Sequence, residues 1–340
     1  MKGFTSILSL IFVITIAVTA VYTYGVAVGV NEAVVKKISI EKDIYLFGNA
    51  LDYSKLFLDT SIKYATYQSL SDYGSSQEYW DNPPTIEDFK TQISEKIQTN
   101  LNKYTVKKIE FVDENHKIQL PKYNNIDVVF ENNILKVKAE GDKIQISQNS
   151  PTEKIDLSKE STLVFETPYI LFDLAKNFVS SKKLENQIQQ IAQIPTFGES
   201  KLSGCDNKVK EISDIDVFNS VYNTSFSSVE EAKNHLISQL IDVSNKTVEA
   251  EKTSEASFEL SVLSSVSNLT LNCEIKKQDK CDTEKTYSYI KTCVFDFKYA
   301  LNFSITLTDL KNKYPVESGS LLDKKTKLEN QKLTFKKSLS

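Results

Sequence analysis

The chain begins Met1-Lys2-Gly3, and residues 4–30 then read FTSILSLIFVITIAVTAVYTYGVAVGV, without one charged side chain. An α-helix crosses the hydrocarbon core of a bilayer with about 20 apolar residues. Residues 1–30 are therefore predicted to form a transmembrane anchor, or a leader followed by a span. The remainder of the 340-residue chain is polar and rich in lysine. Everything after residue 30 is expected to lie on one side of a membrane.

Three interpretations of the N-terminus remain open. An uncleaved signal-anchor fits the full length of the apolar run. A cleavable signal peptide fits Lys2 and the small residues near Ala20, although its apolar region is usually only about 7–15 residues long. A prepilin-type leader, cut just before the apolar run, fits the junction between Gly3 and Phe4.

The side of the membrane is predicted from two conflicting signals. The positive-inside rule compares Lys2 with Lys36, Lys37 and Lys42, and taken alone it favours a cytoplasmic C-terminal domain. The cysteines and the leader-like start favour the outside. We expect the C-terminal domain to be extracytoplasmic, at the cell surface.

The charge composition disfavours several functions. The net charge is −4, both signs are mixed along the chain, and all 41 basic side chains are lysine. No basic patch of the kind that follows a nucleic-acid backbone stands out, so no nucleic-acid partner is expected. Without arginine the chain offers no bidentate guanidinium group, which disfavours a nucleotide or phosphoryl-transfer site.

Four cysteines occur, all in the second half of the chain: Cys205, Cys273, Cys281 and Cys293. An even number confined to one region is typical of disulfides in an oxidising compartment. If the segments around Cys273 and Cys293 are neighbouring strands, the favoured pairing is Cys273–Cys293 with Cys205–Cys281. Buried free thiols are the alternative. A zinc site is disfavoured because no C-x-x-C pair exists.

Residues 31–74 are predicted to extend the helix beyond the membrane as an amphipathic segment. No proline precedes Pro83, and Gly74 is a suitable end. Apolar residues recur on one face at helical spacing: Ile44, Phe47, Leu51, Leu58, Ile62 and Ala65. This face needs a partner, which is either the globular part of the same chain or another copy. A break at Gly48-Asn49 is an alternative to one continuous helix.

The fold class predicted for the rest is α+β, with helices followed by antiparallel strands in a meander. Thr85, with Asp88 three residues later, predicts a capped helix to about Lys103, and Asn132-Asn133 predicts a tight hairpin turn. The capped starts at Thr85 and Ser228 resemble each other. Because capping boxes are common, chance is one explanation of this likeness; the other is that the ectodomain consists of two helix-plus-sheet units, 85–195 and 205–340.

The boundaries that we predict follow the hydrophobic periodicity and the turn residues. Strands are expected at 105–112, 117–120, 127–131, 134–139, 143–147, 163–166, 247–251, 258–265, 269–275, 286–297, 301–307 and 332–336. Helices are expected at 168–194 and 228–243, and residues 196–213 are expected to form a loop.

Gly25 and Gly29 form a G-x-x-x-G pattern inside the apolar helix. Two glycines one turn apart allow a second helix backbone to approach closely. The glycine pair therefore predicts self-association in the membrane, against the alternative that these glycines are merely tolerated there.

Candidate N-glycosylation sequons begin at Asn223, Asn245, Asn268 and Asn302. They agree with an external domain. A chain this rich in asparagine, serine and threonine also contains such triplets by chance.

Enzyme motifs are absent from the sequence. There is no G-x-S-x-G, P-loop, G-x-G-x-x-G or H-E-x-x-H, and no cofactor or metal is predicted. Asp214 and Asp216 are the carboxylate pair that we considered as catalytic acids or calcium ligands. We interpret the protein as non-enzymatic, with a carboxylate-based ectoenzyme as an alternative.

The start Lys2-Gly3-Phe4-Thr5 resembles the leader junction of type IV pilins and related archaeal surface subunits. The unbroken helix, the order of helix and sheet, and the late cysteines are also similar. This resemblance implies a helix that anchors the subunit and then packs in a filament core, with partner subunits of the same kind. Leu8 stands where such subunits usually carry an acidic residue. The predicted function is thus a membrane-anchored surface protein, pilin-like or a monomeric binding or adhesion module.

Overall fold

The structure, a computed structural model, describes residues 2–105, 109–110, 116–149, 154–192, 197–204, 212–279, 287–318 and 325–340. The helices are α1 (Lys2–Gly74), α2 (Ile86–Thr105), α3 (Leu171–Ser181), α4 (Lys183–Ala192), α5 (Asp214–Tyr222) and α6 (Val229–Glu249). The strands are β1 (Ile109–Glu110), β2 (His116–Gln119), β3 (Tyr123–Glu131), β4 (Ile134–Gly141), β5 (Ile144–Asn149), β6 (Lys154–Lys159), β7 (Thr162–Pro168), β8 (Phe197–Gly204), β9 (Ala256–Asp279), β10 (Tyr287–Ser318) and β11 (Lys325–Leu339).

The fold is α+β, as predicted, and its first element is one continuous helix. Helix α1 has 73 residues, which at 1.5 Å per residue corresponds to about 110 Å. The alternative break at Gly48-Asn49 is wrong. Helix α1 ends at Gly74, where a side chain would overlap the backbone carbonyl oxygen of Lys332. Glycine is therefore required by the close approach of β11 as well as by the end of the helix.

The strands of the described residues do not form the predicted meander but three sheets. The first has the order β1-β2-β5-β6, the second has the order β3-β4-β7, and the third contains β8, β9, β10 and β11. Asn132 and Asn133 do form the predicted turn between β3 and β4, and both have positive φ (52° and 62°). Sequence periodicity located these strands, but it does not encode which distant strand each one joins.

The chain divides into two compact units. Unit 1 contains residues 1–60, 104–122 and 141–162, and unit 2 contains residues 61–103, 123–140 and 163–340. The predicted division into 85–195 and 205–340 is not confirmed.

Unit 1 combines the first 60 residues of the chain with the first sheet. The sheet alternates in the usual way of a half-buried strand, with Ile118, Ile144 and Ile146 at most 3% exposed. In α1, Phe47 and Leu58 are buried within this same chain. The predicted apolar stripe of α1 is therefore covered by the chain itself, at least at these positions.

Unit 2 has an aromatic core centred on Phe89 of α2. This ring is fully buried. It stacks on Phe172 of α3 at 4.3 Å between centroids and on Tyr169 at 5.7 Å, and it meets Phe130 of β3 and Tyr73 of α1 edge-on at 5.2 and 5.1 Å. Aromatic pairs at these spacings add about 0.5–1.5 kcal/mol each beyond the area that they bury. The core thus joins four segments through one side chain.

The third sheet is built around the 32-residue strand β10. Strand β9 pairs antiparallel with β10 from Tyr287 to Asp309, while β8 and then β11 pair along the other edge. The core side of β10 carries Leu301, Phe303, Ile305 and Leu307, all fully buried.

Several boundaries in unit 2 differ from those predicted. The helix expected at 168–194 is divided at Lys182, whose φ is 50° in the left-handed region. The loop expected at 196–213 contains β8, and the strand expected at 247–251 belongs mostly to helix α6. Pairing with β10 makes residues 197–204 a strand, and packing of α6 keeps residues 247–249 helical. Local sequence propensity contains neither of these long-range contacts.

The predicted helix caps are present. The Thr85 hydroxyl accepts a hydrogen bond from the backbone N–H of Asp88 at 3.1 Å, and the Asp88 carboxylate accepts one from the backbone N–H of Thr85 at the same distance. Ser228 caps α6 by accepting from the backbone N–H of Glu231 at 3.2 Å. Each cap satisfies an N–H that the helix leaves without an internal partner.

Alkaline pH is expected to unfold unit 2 together with ionisation of its buried tyrosines. Burial raises the pKa of Tyr73 and Tyr169 above the ordinary tyrosine value, and it raises the pKa of Tyr314 to about 12. Because the folded-state pKa exceeds the unfolded value of about 10, this stabilisation is complete below pH 10 and is lost as the pH rises through the folded-state pKa. A spectrophotometric phenolate titration, with near-ultraviolet circular dichroism alongside, measures both processes.

Tyr169→Phe is the matched variant for this titration. It should remove one phenol from the late step and leave stability nearly unchanged, because the Tyr169 hydroxyl has no hydrogen-bond partner among the described residues. Ionisation of all tyrosines well before any loss of tertiary signal would contradict the expectation.

Candidate functional site

One N-terminal helix is apolar enough to span a membrane. The segment Val13–Ile38 of α1 has a mean hydropathy of 1.9, and none of it is buried within the chain. Its threonines satisfy their hydroxyl groups inside the helix, as shown by Thr19 donating to the carbonyl of Thr15 and Thr23 donating to that of Thr19. Internal satisfaction of polar groups is what a lipid environment demands.

The glycine pair (Gly25 and Gly29) lies within this segment. A Cβ built on either glycine meets no atom within 4 Å. Both positions are therefore open on this chain, and the predicted role in helix packing concerns another molecule. Gly3 and Phe4 of the predicted leader junction lie in the first turns of α1.

From the end of the span onward, between Val34 and Leu58, α1 has two different sides. One side is the buried stripe, formed by Phe47, Ser54 and Leu58, which are at most 3% exposed. The other is the open apolar face, whose side chains are 39–70% exposed: Val34, Val35, Ile38, Tyr45, Leu46 and Leu56. At about 100° per residue, these six lie within about 120° of the circumference, roughly opposite the buried stripe.

The glycine pair lies on the side of the buried stripe. Counting about 100° per residue along α1, Gly25 and Gly29 fall at nearly the same angle as Phe47 and Ser54. The open apolar face is therefore on the other side of the helix from the glycines. Helix α1 therefore offers two distinct surfaces: one carries the two glycines, and the other carries large apolar side chains.

Strands β9 and β10 are joined by a disulfide between Cys273 and Cys293, as predicted. These residues are directly opposite each other in the antiparallel register, and their Cα atoms are 4.0 Å apart. The loop that the bond closes spans about 20 residues, for which the chain-entropy model gives about 3 kcal/mol of stabilisation. Cys205 and Cys281 lie outside the described residues, so their pairing stays a prediction.

Asp214 is close to this disulfide. One carboxylate oxygen of Asp214 and the two cysteine sulfurs lie within 4.8 Å of one another. The sulfurs bond to each other and offer no thiolate, and the Asp214 carboxylate forms an ion pair of 2.5 Å with Lys291. This group is better explained as structural than as a metal site.

The second carboxylate of the pair also has a structural role. Asp216 forms a capping box with Ser213 at the start of α5: its backbone N–H donates to the Ser213 hydroxyl, and its carboxylate accepts from the Ser213 N–H at 3.1 Å. The sequence interpretation missed this helix, although Ser213-x-x-Asp216 is itself a capping signal. Asp214 and Asp216 therefore have different partners.

The candidate sequons lie in different surroundings. Asn223 ends α5 and is exposed, Asn268 is exposed on β9, and Asn245 is half-buried on α6. Asn302 is also half-buried, and its amide donates to Ser264 at 2.8 Å and accepts from Ser338 at 2.6 Å. Asn223 and Asn268 are therefore the more accessible positions for a modifying enzyme.

The open apolar face is the surface that the sequence interpretation missed. Its signal was present as a second set of apolar residues at spacings of three, four and seven, alongside the stripe that was recognised. Sequence periodicity shows both sets but does not show which of them the chain covers. Searches of protein-family models, of curated proteins and of solved structures find no match to this chain.

Proposed function

We propose that this chain is a non-enzymatic, membrane-anchored surface protein that assembles with copies of itself through α1, as a pilin-like subunit of a filament or other surface assembly. The observation that carries the proposal is the presence of two open surfaces on opposite sides of α1, the glycine pair and the open apolar face.

Anchoring is supported by the 26-residue apolar segment at the start of the chain. Its 26 residues correspond to about 39 Å of helix at 1.5 Å per residue, enough to span a hydrocarbon core of about 30 Å with some tilt. The extracytoplasmic side is supported by the Cys273–Cys293 disulfide, because such bonds persist mainly in oxidising compartments.

Assembly is supported by the exposure of large apolar side chains on α1. Tyr45 and Leu56 are 70% and 64% exposed on a helix whose other side is buried. Exposed apolar side chains concentrated on one side of a helix favour an interaction site, and here Lys42 and Asp52 lie on the same side among them. The same helix carries the glycine pair, whose lack of side chains permits close approach of another helix in lipid.

The arrangement of the two surfaces favours an open-ended assembly. If the glycine side of one copy packs against the apolar side of the next, the contact is heterologous, and the pair as a whole retains one free surface of each kind. Heterologous contacts form rings when the rotation closes and helical filaments when it does not. A dimer that used one surface twice would leave the other surface exposed.

Treatment of intact cells with an added protease tests the topology. In intact cells, the added protease should digest the domain beyond residue 38. In a separate sample without protease, the whole chain should remain in the membrane fraction after alkaline washing. Extraction in a mild detergent should then give particles larger than the 38.5 kDa chain. Protection of the domain in intact cells would overturn the external location, and a purely monomeric extract would favour a monomeric binding or adhesion module.

The N-terminus of the mature chain is a separate readout. Mass spectrometry should find Phe4 as the first residue if the leader is cut in the prepilin manner. An intact Met1 would sink the prepilin interpretation and leave an uncleaved anchor.

A further inference from the structure

Strand β9 has a long open edge. It pairs with β10 over 23 of its residues, and among the described strands it has no other neighbour. An open edge presents backbone N–H and C=O groups that can pair with another strand.

The disulfide shows which residues of β9 direct these groups outward. The Cα separation of 4.0 Å between Cys273 and Cys293 matches the closer, non-hydrogen-bonded type of antiparallel pair, about 4.5 Å, rather than the hydrogen-bonded type of about 5.5 Å. The N–H and C=O of Cys273 therefore point away from β10. By alternation, those of Leu271, Leu269, Ser267 and Ser265 do the same.

The middle of β9 is exposed on the face of Asn268, whereas on the other face Ser265 is exposed, Ser267 is half-buried and Leu269 is buried. Ser264, Ser265, Val266 and Asn268 are all exposed, Val266 by 67%. The neighbouring residues of β10 include Leu301 and Phe303, which are fully buried. The exposure is therefore a property of this edge and not of the whole sheet.

The same segment lacks the residues that usually protect an edge. Residues 264–272 read SSVSNLTLN, with no charge and no proline. Natural edge strands are commonly protected by lysine, proline or a bulge. The register shift of β9 lies at Leu263, which leaves residues 264–272 as a regular ladder.

We propose that β9 pairs antiparallel with β9 of a second copy of this chain, about a two-fold axis at Asn268. In the pair of β9 strands, a residue that directs its backbone groups outward must lie opposite another residue of the same kind. These residues alternate along β9, so the midpoint between two of them is always a residue, and the two-fold axis passes beside that residue in both copies. Asn268 is favoured by charge. Counting past the bulge, this register places Glu259 of one copy opposite Lys276 of the other, whereas an axis at Ser267 would oppose Glu259 to Glu274.

Cysteine substitution tests this register on the full chain in detergent. Asn268→Cys places two thiols opposite each other across the axis, with Cα atoms about 4.5 Å apart, within the range of a disulfide. Oxygen, with copper as catalyst, oxidises the thiol pair: two protons and two electrons leave the thiols as the S–S bond forms, and oxygen accepts both electrons. The product should be a covalent dimer that a thiol reductant separates.

Asn272→Cys is the matched control. It changes the same residue type on the same face of the same strand, and it retains every other cysteine of the chain. In the proposed register its two copies would be eight residues apart along the strand, about 27 Å, and should not cross-link. Equal yields from the two variants, or no dimer from Asn268→Cys, would overturn the proposal.

A second pair of variants tests whether a charge on the edge strand prevents the pairing. Val266→Lys adds a charge to the edge strand, and Val294→Lys adds the same charge to the same face of the central strand β10, where Val294 is 50% exposed. The first should abolish edge pairing, measured as Asn268→Cys dimer yield in each background, and the second should preserve it. A glycan on most native Asn268 side chains would also overturn the proposal, because two glycans cannot share the axis.

Discussion

Replacing Phe89 with alanine is expected to lower the free energy of unfolding of unit 2 by about 3–5 kcal/mol, the usual range for a buried phenylalanine. The ring is fully buried and contacts four other aromatic rings. A loss of that size is comparable with the whole stability of many domains, about 5–15 kcal/mol. The variant should therefore be partly unfolded at physiological temperature.

The single tryptophan provides the measurement. Trp80 stacks on Phe335 at 4.7 Å and meets Phe172 at 6.2 Å, so its fluorescence reports the same aromatic core during denaturant unfolding. Phe197→Ala is the matched control, because Phe197 is 54% exposed and its truncation should cost well under 1 kcal/mol. Equal midpoints for the two variants would contradict the central role of Phe89.

Mixing two assembly-defective variants is expected to restore a dimer and nothing larger. The first variant carries Gly25→Ile and Gly29→Ile, and the second carries Tyr45→Lys and Leu56→Lys. Both also carry Val266→Lys, which prevents pairing of the β9 edges, so that only contacts through α1 are measured. Each should be monomeric alone, because a heterologous contact needs one surface of each kind. Together, the intact glycine side of the second can bind the intact apolar face of the first, and both outer surfaces of that pair are blocked.

The particle masses of the three samples distinguish this arrangement from the others. Pairing of glycine sides alone would leave the lysine variant dimeric, and pairing of apolar faces alone would leave the isoleucine variant dimeric. Either result would contradict the heterologous contact. Formation of the mixed dimer also serves as the control for folding, since both variants must retain one working surface.

The extent to which the fold could be predicted depended on how local each signal was. Helix α1 was predicted almost to the residue because its apolar run, its lack of proline and Gly74 all lie within it. The turn at Asn132-Asn133 and the cap at Thr85 were equally local. The pairing of β2 with β5 and of β8 with β10 depends on contacts between distant segments, which periodicity does not encode.

The candidate site was predicted in part for the same reason. The span, the glycine pair and the Cys273–Cys293 bond follow from residue type and spacing. The open apolar face could not be separated from the buried stripe, since both consist of apolar residues at helical spacing. Only the structure shows that Phe47 is covered by the chain whereas Tyr45 is exposed.

The continuity of α1 also determines how the protein carries force. Residues 61–74 of this helix belong to unit 2, and Tyr73 contacts the ring of Phe89 in its core. Within unit 2, a pull along residues 61–74 would therefore act directly on the aromatic core. Separating this part of α1 from unit 2 would require Tyr73 to leave its contact with Phe89, so the aromatic packing limits the force that this end of the helix can bear.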